Sequence, residues 1–217
     1  MKKEFKKRIL STLILIPLSF FFIIKGSIIF NFFLLTCSLI AFYEWHMMSK
    51  RKNYHLLGYF FLIFAFYSTY CLRNNFDQES LVIFLFVIII CISTDIGGYI
   101  FGNIFRGPKL TNISPKKTYS GMIGGYFLSI ISINLFYFYS YLFFEAQKFT
   151  YKALILLFII SSVSQIGDII VSYFKRLSNV KDTGKIIPGH GGLLDRVDGM
   201  IFTFPFSYIL FSLTSLK

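Results

Sequence analysis

Hydrophobic residues occur in seven long runs along the chain, and short polar stretches separate these runs. The runs cover residues 9–24, 28–43, 56–72, 80–99, 121–144, 151–171 and 197–215. Each run approaches or reaches the roughly 20 residues that an α-helix needs to cross the hydrocarbon core of a bilayer. The pattern therefore predicts an all-α fold, a polytopic transmembrane helical bundle with about seven spans.

The composition agrees with a membrane protein. Of the 217 residues, 55% are hydrophobic and only 15% are charged, which is too few charges for the surface of a soluble protein. The net charge of +12 would suggest a nucleic-acid partner in a soluble protein. In a membrane protein, Lys and Arg instead mark the cytoplasmic loops, so we expect no nucleic-acid partner.

The distribution of Lys and Arg between alternate connections predicts the orientation of the bundle. With the N-terminus inside, the cytoplasmic segments hold seventeen of the 22 Lys and Arg residues, and the opposite side holds five. We therefore expect a cytoplasmic N-terminus, with the polar loops 101–120 and 173–196 on the same side. We divide the chain into N-terminal transmembrane helices, residues 1–91, and a second transmembrane region, residues 92–217, which carries both polar loops and the candidate chemistry.

The most unusual stretch is residues 172–198, which lies between two hydrophobic runs. In one-letter code it reads S-x-F-K-R-x4-K-D-x-G-x3-P-G-H-G-G-x2-D-R-x-D, where x is any residue. Cations, carboxylates and glycines cluster in this motif. The combination indicates an anionic, phosphate-bearing ligand that is handled together with a metal ion.

The hydrophobic run before this motif carries a polar stripe. Ser161, Ser164, Asp168 and Ser172 recur at helical spacing, and Gln165 lies beside them. A carboxylate inside the bilayer is costly unless it is paired or faces a wet cavity. The stripe fits either a structural hydrogen-bonding face between helices or a metal-binding face, and the dense motif that follows favours Asp168 as a metal ligand.

Asp195 and Asp198 are three residues apart where the last hydrophobic run begins. If a helix starts there, both side chains project to the same side of its first turn. Acids at this position also stabilise a helix N-terminus, which is the structural alternative. Oxygen ligands from Asp168, Asp195 and Asp198 suit Mg²⁺, so we predict that these three acids bind this metal ion.

The glycines and cations of the motif provide candidate phosphate contacts. Gly191 and Gly192 let backbone N–H groups approach an anion closely. His190, which precedes them, is either a phosphate donor or a structural hydrogen-bonding residue. Arg and Lys side chains suit phosphoryl oxygens, although membrane topology alone explains part of this positive charge. The candidate cations are Lys175, Arg176, Lys181 and Arg196.

A second polar cluster lies upstream, between the end of the fourth run and the start of the fifth. It contains Asp95, Tyr99, Ser114, Lys116 and Lys117, together with several glycines. Asp95 and Tyr99 are one helical turn apart and share a helix face. Lys116 and Lys117 either contact nucleotide phosphates or only mark the cytoplasmic side.

Both segments resemble the two common sequence segments of the phosphatidate cytidylyltransferases, also called CDP-diacylglycerol synthases. The resemblance implies that CTP and phosphatidate give CDP-diacylglycerol and pyrophosphate, with Mg²⁺ as cofactor. It implies the catalytic set Asp168, Ser172, Lys175, Arg176, Lys181, Asp182, His190, Asp195, Arg196 and Asp198. It also implies the binding set Asp95, Tyr99, Ser114, Lys116, Lys117, Gly191 and Gly192. The expected partners are CTP, phosphatidate and the bilayer of a bacterial inner membrane, and a homodimer is left open.

Two alternatives to the enzyme stay open at this stage. A transporter of an anionic solute would also carry intramembrane acids and cytoplasmic cations, but its polar residues would lie near the middle of the membrane. Here the polar residues lie on one side, which favours the enzyme. The family commonly has Glu where this chain has Ser120 and Val171, so an inactive relative that acts as a membrane scaffold is the second alternative.

The charge asymmetry gives a direct test of orientation. A cysteine placed at position 185 should be shielded from a membrane-impermeant thiol reagent in intact cells, and a cysteine at position 217 should be labelled. The native residues Cys37, Cys71 and Cys91 are replaced first, so that they give no background. Labelling at position 185 without labelling at position 217 would contradict the predicted topology.

Overall fold

Eight α-helices make up the helical structure of the described residues, which are 2–76, 80–144, 151–189 and 191–215 of this computed structural model. In chain order they are α1 (Lys2–Lys25), α2 (Ser27–Ser49), α3 (His55–Asn74), α4 (Ser80–Phe105), α5 (Tyr119–Phe144), α6 (Tyr151–Leu177), α7 (Leu194–Val197) and α8 (Met200–Ser215). Apolar runs of this length become helices because lipid offers the backbone no hydrogen-bond partner. The all-α fold is therefore confirmed.

Five of these helices, α2 to α6, are long and apolar enough to cross a membrane. Two shorter apolar segments, Ser11–Lys25 of α1 and Met200–Leu213 of α8, lie at the remaining predicted spans. The predicted polytopic bundle is thus confirmed.

Three boundaries differ from the prediction. α4 and α6 both continue beyond their predicted ends, so that the two polar loops shrink to residues 106–118 and 178–193. α4 tolerates its glycines because that part of the helix packs against α5. The last turn of α6 contains Lys175 and Arg176, whose positive charges are favourable at a helix C-terminus. The last hydrophobic run begins as a separate four-residue helix, α7, before α8 starts.

One end of the bundle holds the second polar loop and the first half of α1. The Ser11 hydroxyl of α1 donates a hydrogen bond to the Pro188 carbonyl, 3.2 Å away in that loop. At the opposite end, the Arg73 side chain of α3 donates to the Ile23 carbonyl at 3.0 Å, beside the turn between α1 and α2. We call the end with Ser11 and Pro188 the polar end.

Two groups of buried apolar side chains hold the bundle together. The larger group lies among α1 to α6 and α8, and its most deeply buried members include Phe30, Leu72, Ile90, Ile133 and Leu157. The smaller group consists of Ala41, Trp45, Met48, Leu62, Ala65, Val171, Leu194 and Ile201. Because lipid is as apolar as these side chains, close packing rather than escape from water favours their association.

α4 and α5 make the most extensive helix contact in the bundle, and glycines permit it. A methyl group added to Gly97 would overlap the Gly124 carbonyl. One added to Gly121 would lie 2.7 Å from the Gly98 carbonyl oxygen. The two backbones therefore approach at a distance that larger residues do not allow, as in other membrane helix pairs with small residues. This contact fixes the polar part of α4 relative to the loop that leads into α5.

Gly97→Ala should weaken the bundle, whereas Gly98→Ala should be nearly silent. At position 97 the new methyl group overlaps backbone, but at position 98 its nearest neighbour is 3.7 Å away, which is ordinary van der Waals contact. We expect Gly97→Ala to lower the free energy of unfolding by about 1–3 kcal/mol, the usual cost of overpacking. Thermal unfolding of the detergent-solubilised variants measures the difference, and equal melting temperatures would contradict the close crossing.

Candidate active site

Three carboxylates from separate elements come together in the half of the bundle nearer the polar end: Asp95 of α4, Asp168 of α6 and Asp198, which follows α7. Asp168 and Asp198 are in hydrogen-bonding contact, and the negative charge of Asp95 acts on Asp198. Burial, reinforced by the charge of Asp168, raises the pKa of Asp198 well above its ordinary value. Carboxylates held this close repel one another unless a proton or a cation lies between them.

Lys117 brings the first polar loop to these acids. Its Nζ lies 2.6 Å from Asp168 Oδ2, so the end of the first loop forms an ion pair with α6. The Ser172 hydroxyl, one turn further along α6, donates to Asp168 Oδ1 at 3.4 Å. The two polar segments of the sequence therefore meet at one carboxylate.

Two further cations act on the same acids. Lys117 and Arg196 lie close enough to Asp95 to attract its negative charge, and Lys175 does the same for Asp198. Three acids thus lie near three cations that come from α6, α7 and the first loop. We call this set the charged cluster, and its members are Asp95, Asp168, Asp198, Lys117, Lys175 and Arg196.

The charged cluster is exposed on one side. Asp95 is exposed although it lies in a helix that is long enough to cross a membrane. The Asp168 side chain keeps 28% of its surface exposed. Hydrocarbon does not solvate an ionised carboxylate, so an ionised Asp95 requires water or a polar ligand beside it. The predicted polar stripe of α6 faces inward, because Ser161 and Ser164 are fully buried.

Asp195 belongs to a different set of contacts. Lys175 Nζ donates to its Oδ1 at 2.9 Å, and its Oδ2 accepts the backbone N–H groups of Thr183 at 2.8 Å and Gly192 at 3.0 Å. Burial alone would raise the pKa of Asp195, but Lys175 and these N–H groups hold it below its ordinary value. Asp195 is therefore an ionised carboxylate whose hydrogen bonds hold the second loop.

Asp195 and Asp198 both lie near Lys175 but have different contacts. Asp195 binds the second loop, whereas Asp198 contacts Asp168 of α6. Among the described residues, no three His, Cys, Asp or Glu side chains are gathered as a metal site. The metal set of Asp168, Asp195 and Asp198 stays a prediction.

Two glycines of the second loop, Gly191 and Gly192, fold around the Asp195 carboxylate. The Gly192 N–H donates to Asp195, so it is not free to bind a phosphate as predicted. Gly191 has a φ of 86°, in the left-handed region that favours glycine, and its carbonyl accepts the Ile187 N–H at 2.9 Å. A methyl group at position 191 would also lie 2.9 Å from Asp195 Oδ2.

The remaining predicted residues lie in the loops or on the outside of the bundle. Arg176 donates from Nη1 to the Val180 carbonyl at 3.2 Å, beyond the C-terminus of α6. The Ser114 carbonyl accepts the Lys117 N–H at 3.0 Å, which turns the first loop. The exposed residues are Lys116 in the first loop, Lys181 and Asp182 in the second, and Tyr99 on α4. His190 lies outside the described residues.

The structure adds a residue that the sequence patterns do not single out. Glu44, near the C-terminal end of α2, is 1% exposed and accepts hydrogen bonds from the second loop. A lone acid at the end of an apolar run was the available signal. Nothing in the sequence shows that Thr183, 139 residues later, folds onto it.

The chain matches the family model described as the cytidylyltransferase family over residues 6–76 and 54–214. The chain belongs to the cytidylyltransferase family. The matched residues run from α1 to α8 and contain every member of the charged cluster. The family resemblance predicted from the two polar segments is thus confirmed.

Relatives named phosphatidate cytidylyltransferase match much or nearly all of the chain. The one from Rickettsia typhi is 36% identical over 212 residues, which is 94% of this chain and 90% of the relative. The one from Bacillus subtilis is 38% identical over 143 residues, which is 65% of this chain and 52% of the relative. The one from Staphylococcus aureus is 41% identical over 138 residues, which is 61% of this chain and 50% of the relative. The chain is thus similar to the Rickettsia protein along almost its whole length.

Proposed function

We propose that the chain is an integral-membrane phosphatidate cytidylyltransferase, which converts CTP and phosphatidate into CDP-diacylglycerol and pyrophosphate. The observation that carries the proposal is the charged cluster, where three carboxylates and three cations meet inside an apolar bundle. Its exposed members, Asp95 and Arg196, are accessible to a charged ligand. Relatives that carry this enzyme name over nearly the whole chain support the same reaction.

The reaction is a nucleotidyl transfer. A phosphate oxygen of phosphatidate forms a bond to the α-phosphorus of CTP, and the bond from that phosphorus to the bridging oxygen of the β-phosphate breaks. Pyrophosphate then leaves with the electron pair of the broken bond. The protein has to bring two anions together and neutralise the charge that gathers on the leaving group.

The cations of the charged cluster suit this task in different ways. Arg196 is exposed. Its planar guanidinium can donate two parallel hydrogen bonds to the oxygens of one phosphate group. Lys117 adds a point charge beside Asp168. Lys175 is engaged by Asp195 at 2.9 Å, so its part is to hold α7 against α6.

The charged cluster also fits a magnesium ion. Mg²⁺ usually takes one or two protein carboxylates and completes its shell with water and substrate phosphates. Asp168 and Asp198 are in contact, so these two carboxylates would hold the ion. When bound, the ion would neutralise the triphosphate and polarise its α-phosphate. Asp195 would not be a ligand, because Lys175 and loop N–H groups occupy its oxygens.

We also propose that this site faces the cytoplasm from a bacterial inner membrane, where nucleotides are available. The excess of Lys and Arg in the loops of the polar end supports this orientation. The contact between Ser11 and Pro188 supports it too, because it puts the first half of α1 at the same end as the second loop.

A transporter is not favoured by this arrangement. The cations of the charged cluster come from the first loop, the last turn of α6 and α7, all at the polar end, whereas transporters bind their substrates near the middle of the membrane. The inactive scaffold gains no support from the two positions where the family commonly has Glu. Val171 packs in the smaller apolar group, and the Ser120 hydroxyl donates to the Arg106 carbonyl, so neither position lies in the charged cluster.

Incorporation of labelled CTP into lipid by the purified protein in detergent tests the proposal. Wild-type protein should form labelled CDP-diacylglycerol when phosphatidate is supplied. Asp168→Asn keeps the size of the side chain but removes the charge that Lys117 meets, so turnover should fall by roughly 10²-fold or more. Arg196→Lys should also lose most activity, because a planar fork becomes a point charge.

Lys185→Ala is the matched control, because Lys185 is exposed in the second loop and lies outside the charged cluster. It should leave turnover nearly unchanged. Absence of lipid product from the wild-type protein would contradict the proposed function. Near-normal turnover of Asp168→Asn, beside an active wild type, would show instead that the polar face of α6 is structural.

A further inference from the structure

Glu44 anchors the second loop to α2 through three hydrogen bonds. Its Oε1 accepts the backbone N–H of Leu193 at 2.9 Å. Its Oε2 accepts the N–H of Leu194 at 2.9 Å and the Thr183 hydroxyl at 3.1 Å. The two N–H groups stand at the start of α7, where backbone donors lack partners within the helix. One side chain of α2 thus holds both ends of the segment between Thr183 and Leu194.

This carboxylate is buried at a cost that its contacts must offset. Glu44 is 1% exposed. The ion pairs of the described residues join Lys117 to Asp168 and Lys175 to Asp195, so neither gives Glu44 a cation. Burying a carboxylate is expensive unless hydrogen bonds replace its water. Loss of a single donor would therefore leave part of a buried acceptor unsatisfied.

Two glycines of the sequence motif leave the space that this carboxylate occupies. A methyl group at Gly184 would lie 2.6 Å from Glu44 Oε1, and one at Gly192 would overlap the Thr183 hydroxyl oxygen and lie 2.5 Å from Glu44 Oε2. Neither glycine has a positive φ. Contact with Glu44, and at Gly192 also with Thr183, therefore explains why side chains do not fit there. These two motif glycines line the space that the Glu44 carboxylate of α2 occupies.

Thr183 links Glu44 to the charged cluster. The Thr183 hydroxyl lies 3.1 Å from Glu44 Oε2 and 3.1 Å from Asp195 Oδ2, and its single hydrogen serves one carboxylate at a time. The Thr183 N–H donates to the same Asp195 oxygen at 2.8 Å. Asp195 in turn binds Lys175 of the charged cluster. A loop that detached from Glu44 would therefore displace α7, which carries Arg196.

We propose that Glu44 is a positioning residue for the transfer reaction, because it fixes the second loop so that α7 presents Arg196 and Asp198 to the site. The inference rests on the proposed function, since it gives Glu44 a role in that reaction. Glu44 acts through Thr183 and the start of α7 rather than on the substrate itself.

Hydrogen–deuterium exchange of the purified protein in detergent tests the anchoring without any substrate. In Glu44→Gln the side chain keeps its shape, but its NH₂ group faces a loop donor, so at least one hydrogen bond is lost. Exchange at Leu193 and Leu194 should speed up by at least about tenfold. The protection of α4 and α6 and the melting temperature should change little. Tyr43→Phe, on the exposed side of α2, is the control and should exchange like the wild type.

Turnover of CTP with phosphatidate tests the link to the reaction. Glu44→Asp keeps the charge and both acceptor oxygens, whereas Glu44→Gln keeps only the size. A positioning carboxylate therefore predicts more activity in the Asp variant than in the Gln variant, and a residue that only fills space predicts the reverse. We expect Glu44→Gln to lower turnover by about tenfold or more, with Tyr43→Phe unchanged.

A double-mutant cycle tests whether Glu44 explains the motif glycine. Gly184→Ala should lower turnover strongly by itself, but it should add little in Glu44→Ala, where the clashing carboxylate is gone. Additive effects, the reverse activity order of the Asp and Gln variants, or unchanged exchange at Leu193 and Leu194 would each overturn the inference. A wild-type protein that consumes no CTP would contradict the proposed function instead, and the exchange measurement would still decide whether Glu44 anchors the loop.

Discussion

Carboxylates inside an apolar bundle have to be compensated, and the site depends on how five acids meet this constraint. Glu44 and Asp195 each accept several hydrogen bonds from the second loop, so the protein itself satisfies them. Asp95, Asp168 and Asp198 instead lie close to one another, and among the described residues Lys117 forms an ion pair only with Asp168, so the remaining repulsion favours an added cation. The same constraint thus separates acids that support the structure from acids that are available to a charged ligand.

The second loop shows how buried carboxylates build this site. Four backbone N–H groups of the second loop and the start of α7 donate to two carboxylates. Those of Thr183 and Gly192 donate to Asp195, and those of Leu193 and Leu194 donate to Glu44. An irregular segment at the end of a membrane bundle needs such partners, because it has no helix to satisfy its backbone. The N-terminal helices, residues 1–91, therefore contribute Glu44 to the site and are more than a membrane anchor.

Sequence patterns predict the bundle well, because the length of an apolar run and the thickness of a bilayer are directly related. They also predict the inward polar face of α6 with Asp168, because helical spacing assigns residues to a face. They do not predict that Asp195 and Asp198 have different hydrogen-bond partners, or that the Gly192 N–H donates to a carboxylate. Those outcomes depend on how a loop folds back onto α2 and α6, and Glu44 is hidden for the same reason: its partners are distant in sequence.

Binding of Mn²⁺ in place of Mg²⁺ tests this division of the acids most directly. Electron paramagnetic resonance of the purified protein measures the bound ion without turnover. Asp198→Asn should weaken Mn²⁺ binding by more than about tenfold. Asp195→Asn combined with Lys175→Met removes a buried ion pair without changing the net charge, and it should weaken Mn²⁺ binding far less than Asp198→Asn does. Loss of Mn²⁺ binding in that double variant, with normal binding in Asp198→Asn, would contradict the division.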